Sequence, residues 1–197
     1  MPLFFGSVRI YPFKCNDLTP QQKEWLASDP EQVETYVSTF CDIYHFSASL
    51  YSFDGYEESP KSAKYLLGLA AYQLQGTSAT LCAAFDGRGA IKSSLVGAEL
   101  ALKAALASDG ASDRDLKKYG HDLRRLVKAV RNVYRKFKMA SVNTRVGLLP
   151  NLVDNRYSAE QPSRMETGDI VMISQHIAGA VAQALTGGSL RARLQIN

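Results

Sequence analysis

Residues 95–123 read LVGAELALKAALASDGASDRDLKKYGHDL, and this stretch decides the fold. Together with Ile91 its first half gives an apolar stripe of Ile91, Leu95, Ala98, Leu102 and Leu106, which predicts a helix over 91–107. Gly97, Ala98, Ala101, Ala104 and Ala105 are small enough to let a neighbouring helix come close. Gly110 falls where such a helix closes with a left-handed residue. A further helix starts near Ser112. Leu116, Leu123, Leu126, Val127, Val130, Val133, Tyr134 and Phe137 keep a nearly heptad beat along it, with Gly120 setting its first turns apart.

Two residues interrupt the apolar helix. Glu99 and Lys103 are four apart with the carboxylate first, the favourable order for a helical ion pair. Between Ala98 and Leu102 they border the apolar stripe or lie inside it. A charge held there must be paired or hydrogen-bonded, because leaving it bare costs several kcal/mol. The nearest partners in sequence are His121 and Asp122, which open the next helix, where a carboxylate meets free backbone amides. The expectation is a polar clasp of Glu99, Lys103, His121 and Asp122 that locks the two helices together.

Outward from this pair the pattern stays helical. Ser59-Pro60 opens a helix over 61–74 on which Tyr65, Leu66, Leu69 and Tyr72 recur three and four apart, with Lys61 and Lys64 outside and Gly76 as its stop. Gly87 and Gly89 flank Arg88 in what reads as a flexible loop, since a GxG without a third glycine or a preceding strand is a weak phosphate-loop signal. Residues 139–150 read as a connector, with a short helix before Arg156-Tyr157. A long helix follows over 166–185, with Ile170, Ile173, Ile177 and Val181 inward and Gly187-Gly188 as its end. Residues 189–197 read as a flexible tail.

Residues 1–57 have a different texture, rich in aromatics. SVRIYPF (7–13) reads as a short edge strand and FSASLYSFDGY (46–56) as extended, with helices over 17–28, opened by Thr19-Pro20, and from Asp29-Pro30 through Phe40. The expected organisation is an all-α, up-and-down helical bundle over 58–188, preceded by a mixed appendage over 1–57.

The 197 residues suffice for one domain with a real core. Cys15, Cys41 and Cys82 are widely spaced and odd in number, which argues buried thiols in a reducing compartment rather than a disulfide framework or a zinc knuckle. The start has no secretory pattern, and no apolar run reaches the ~18 residues of a membrane span. The expectation is a cytoplasmic protein without membrane association, metal or cofactor. Charge is uneven. Residues 114–138 hold ten basic residues against Asp115 and Asp122, a net of +8, which leaves −4 elsewhere in a chain of net +4. Arg124, Arg125, Lys128, Arg131 and Arg135 are the phosphate-binding candidates, because such a local excess favours phosphate-bearing or acidic partners.

Three pieces resemble the HEPN family of helical bundles: AELALKAALAS with Glu99 and Lys103, GHDLRRL with His121, Asp122 and Leu123, and DNRYSAEQP with Arg156-Tyr157. The resemblance covers roughly residues 59–187. It implies a bundle of four to five helices, often a homodimer. It also implies work on RNA, in toxin–antitoxin pairs or phage defence, sometimes beside a nucleotidyltransferase. Nuclease members carry an arginine, four to six residues, then a histidine near the start of the last helix. There the histidine would move protons and the arginine would stabilise charge on phosphate, with no metal. That pattern is missing from its expected place: His176 is preceded no closer than by Arg164, and no histidine follows Arg156 in range. Arg114 and His121 do stand at such a spacing, but chance supplies roughly 0.5 such pairs in a chain of this composition. His45 and His176 read as ordinary.

The leading expectation is therefore a non-catalytic bundle that dimerises through small-residue helix faces and binds RNA, nucleotide phosphates or an acidic partner. The alternative is a metal-independent ribonuclease that uses Arg114 and His121.

Overall fold

The computed structural model describes residues 12–14, 17–54, 60–83, 86–134, 140–150 and 161–186. Among them every regular element is helical: a 3-10 turn at Pro12–Lys14, then α1 (Pro20–Ala27), α2 (Pro30–Asp54), α3 (Lys61–Ala83), α4 (Gly87–Ser108), α5 (Asp113–Lys117), α6 (Leu123–Val133), α7 (Ala140–Val146) and α8 (Arg164–Thr186).

α4 is the centre. Ala98, Ala101, Leu102, Ala104 and Ala105 are all fully buried, and such a helix is one surrounded by others. α3 and α4 run antiparallel in close contact: Ser93 Oγ donates to the Gln73 carbonyl at 2.9 Å, and a Cβ at Gly97 would sit 3.0 Å from Leu74. The small-residue face expected to join two chains is therefore used inside one. α4 closes as its sequence predicts. Gly110, at φ +96, donates to Ala107, and Ala111 donates to Leu106, the paired bonds that satisfy the last carbonyls of a helix. On α8, Ile170, Ile173, Ile177 and Val181 are buried, as the spacing predicts.

Several boundaries differ from the sequence reading. Phe46–Asp54 is not extended but the second half of α2. Its local alternation gives way because Phe46, buried, and Leu50, four residues on, both reach the core on one helical face. α3 does not stop at Gly76. A helical glycine costs about 1 kcal/mol against alanine, and here buried Thr77 follows it and bonds back to the Gln73 carbonyl. The face of α3 is also rotated. Ala63, Leu67, Ala70, Ala71 and Leu74 pack inward, while Tyr65 and Tyr72 are 67% and 71% exposed; the tight α3–α4 approach admits small residues where tyrosines would not fit.

Gly87-Arg88-Gly89 is the first turn of α4 rather than a loop, capped by Asp86, whose carboxylate accepts from the Gly89 amide at 3.0 Å. α6 ends at Val133, before Phe137, which lies outside the described residues. The supposed connector 139–150 contains α7, with Val142, Val146 and Leu149 buried. Of the expected edge strand, residues 7–11 lie outside the described residues, and Pro12 and Phe13 belong to the 3-10 turn. The tail 189–197 and Cys15 also lie outside them; Cys41 is buried, but Cys82 is exposed. No helix of the described residues is long and apolar enough to cross a membrane.

Candidate functional site

Glu99 is 5% exposed on the buried centre of α4. Its two oxygens are divided between two partners. Oε1 accepts from Lys103 Nζ at 2.6 Å, and Oε2 lies 2.9 Å from His121 Nδ1. Lys103 Nζ also donates to the Gly120 carbonyl at 2.9 Å. Gly120 adopts φ +55, a conformation that glycine enters without a Cβ penalty. Asp122 stands apart from this cluster and caps α6, accepting from the Arg125 amide at 3.0 Å. Three of the four clasp candidates thus converge, and the fourth starts the helix beside them.

The burial of these groups is graded. The Glu99 and Lys103 side chains are 6% and 15% exposed, whereas His121 is 53% exposed. The Glu99–Lys103 pair is therefore the desolvated part, and the imidazole forms the rim. Among the described residues no buried side-chain polar atom lacks a hydrogen-bond partner.

α6 carries the charge. Leu123, Leu126, Val127 and Val130 face inward, while Arg124, Arg125, Lys128 and Arg131 are exposed. Arg124, Lys128 and Arg131 share one helical stripe by their four- and three-residue spacing, and α6 itself contains no acid. Arg124 donates to the Gly147 carbonyl at 3.0 Å, tying α6 to the turn after α7. The Arg125 guanidinium lies 5.8 Å from the Tyr119 ring centroid, within cation–π range. Arg135, Arg156 and Tyr157 lie outside the described residues.

Arg114 is exposed on α5; no hydrogen bond or ion pair among the described residues joins it to His121. Next to it, Asp115 pairs with Lys118 at 2.6 Å. The hydrogen bond from Lys118, then that from the Ser112 hydroxyl, holds the Asp115 carboxyl at about 2, below its usual 3.8. Because the folded value is the lower one, this contribution is present above pH 3.8 and is lost as the pH falls towards 2. A carboxyl titration by NMR should place Asp115 near 2, and Lys118→Met should move it upward. An unshifted Asp115 in the parent protein would remove the pair from solution.

A second polar contact has no local sequence signature. His176 Nδ1 lies 2.7 Å from Asp42 Oδ2, joining α8 to α2, with both side chains mostly buried at 12% and 17% exposure. Three residues further along α8, a Cβ at Gly179 would fall 2.6 Å from the Asp42 carbonyl oxygen. Nearby, a half-open cavity of about 120 Å³ lies between α2, α3 and α8, lined in part by Phe46, Leu50, Leu74 and Gln175. It is small against the ~300 Å³ at which ligand pockets begin.

Comparison with protein-family models, with curated proteins and with solved structures returned no match to this chain.

Proposed function

We propose that this chain is a helical bundle of the HEPN type that works by association, with the outer face of α6 docking on RNA phosphates. One observation carries the reading: Arg124, Lys128 and Arg131 form a solvent-facing basic stripe, with Arg125 beside it, on a helix that holds no acid. The same cations would serve a nucleotide or an acidic protein. RNA is preferred because a stripe of cations repeated along a helix suits a repeated phosphate. The engagement of His121 Nδ1 by Glu99 supports structural service for that ring over a ribonuclease pair with Arg114. A toxin–antitoxin or defence setting, with a nucleotidyltransferase as neighbour, belongs to the same proposal through the resemblance.

The test is titration of labelled single-stranded RNA at two salt concentrations. Four neutralised phosphates imply a slope of about −2.8 in log affinity against log salt, or roughly 50-fold weaker binding between 50 and 200 mM. Arg124→Gln with Lys128→Gln should reduce that slope by about half. Absence of binding at low salt removes the RNA reading. RNA cleavage in EDTA that is abolished by His121→Ala would replace it with the ribonuclease.

The homodimer is part of the proposal. Since the small residues of α4 are buried within the chain, the contact must use exposed side chains, and α3 offers Tyr65 and Tyr72 on one outer face. Sedimentation of the full chain reads the oligomeric state directly, and a monomer at all concentrations removes this part.

A further inference from the structure

We propose that His121 is a phosphoryl acceptor: its Nε2 takes a phosphoryl group from a phosphoramidate donor, a molecule with a P–N bond such as a partner protein's phosphohistidine. The inference is independent of the RNA reading and rests on the orientation of one ring.

The first observation fixes the proton. Glu99 Oε1 receives the Lys103 ammonium at 2.6 Å, so the carboxylate is an acceptor on both oxygens. His121 Nδ1, 2.9 Å from Oε2, is then the donor and carries hydrogen. In the neutral ring the lone pair lies on Nε2. The second observation is access. The His121 side chain is 53% exposed, and among the described residues Nε2 has no hydrogen-bond partner. His176, by contrast, is 12% exposed in its contact with Asp42, and His45 is half-buried.

The third observation is charge. Lys117 and Lys118 precede the ring in sequence, and Arg124 and Arg125 follow it. The two acids of this segment are both engaged, Asp115 by Lys118 and Asp122 by the Arg125 amide. In sequence, residues 114–125 carry Arg114, Lys117, Lys118, Arg124 and Arg125 against these two acids, a local excess of positive charge that favours a phosphoryl group.

The step balances without a further reactant. The Nε2 lone pair attacks phosphorus, the N–P bond of the donor breaks, and the donor nitrogen takes a proton from water and leaves hydroxide. The phosphorylated ring, which keeps Nδ1–H, becomes a cation facing the Glu99 carboxylate. Nδ1–H stays on Glu99 throughout, so the clasp holds in both states. Glu99 is thus a positioning residue: it fixes the tautomer and the orientation of the ring, as a carboxylate does when it backs an imidazole elsewhere.

The experiment uses the full chain and potassium phosphoramidate as the probe. Intact mass reads the gain of one phosphoryl group, peptide mapping locates it, and phosphorus NMR identifies the nitrogen. The expected result is a single Nε2 adduct on His121, formed about tenfold faster than any on His45 or His176. Glu99→Gln should slow it about tenfold while circular dichroism stays unchanged, the size of effect that removal of an orienting partner has on such rings. The parent protein alone also supplies a test that needs no variant: long-range nitrogen NMR should show the Nδ1–H tautomer at His121. An Nε2–H tautomer, equal modification of all three histidines, an adduct on Nδ1, or no adduct on His121 would each overturn the proposal.

Discussion

Gly179→Val is expected to be among the most damaging single changes in the chain. An added Cβ would sit 2.6 Å from the Asp42 carbonyl oxygen and 2.9 Å from its Cα, both closer than van der Waals contact. The obstructing atoms are backbone, so no side chain can rotate away. α2 must then retreat from α8, and the 2.7 Å contact between Asp42 and His176 is pulled open with it. Overpacking of this kind costs about 3 kcal/mol, which for a chain of this length lowers the melting temperature by roughly 6–12 °C. Gly168 on the same helix provides the control, because an added Cβ there meets nothing within 4 Å. Gly168→Ala should be neutral or stabilise by up to ~1 kcal/mol through helix propensity alone. Calorimetry of the two variants checks both signs. Equal melting temperatures would mean that α2 and α8 do not approach as closely as described.

The second large effect is expected at the clasp, and it should be unequal among its members. Lys103→Met leaves the Glu99 carboxylate buried with His121 as its remaining partner. Breaking a buried pair in this way costs about 3–5 kcal/mol, mostly as the penalty on the charge left behind. His121→Ala removes a partner that is 53% exposed, and solvent can replace it, so about 1 kcal/mol is expected. The double variant Glu99→Leu with Lys103→Met removes both buried charges. It should recover most of the loss, because well-packed apolar side chains commonly match a buried ion pair. Urea denaturation of the three variants gives the order directly. A double variant as weak as Lys103→Met, or a His121→Ala loss as large, would show that the pair is not the desolvated part of the contact.

The parts of this molecule that could be read in its sequence are those whose cause is local. Ile170, Ile173, Ile177 and Val181 repeat at the helical period, and Asp122 stands directly before the amides it caps, so α8 and the start of α6 were legible. Glu99 and Lys103 stood out because charges are costly in an apolar helix, and their partner lay only 22 residues along the chain. What could not be read depends on neighbours distant in sequence. Nothing near Tyr65 and Tyr72 says that Leu74 and Gly97 bring α3 and α4 too close for a tyrosine face between them. Nothing near Phe46 says that a core waits to receive it with Leu50 on one helical side. His176 looked ordinary because its partner is 134 residues away.

That last separation bears on the order in which the chain assembles. The bond between Gln73 and Ser93 closes a loop of 20 residues, whereas the contact of Asp42 with His176 closes one of 134. By chain entropy alone the longer closure is dearer by about 1.7 kcal/mol. The α3–α4 hairpin is thus expected to condense first and the α2–α8 seam to zip last. Strain at Gly179 would then speed unfolding while leaving the folding rate near that of the parent, and stopped-flow refolding separates the two. The seam is in that case the place from which the molecule opens, and its lifetime in the folded state is set there.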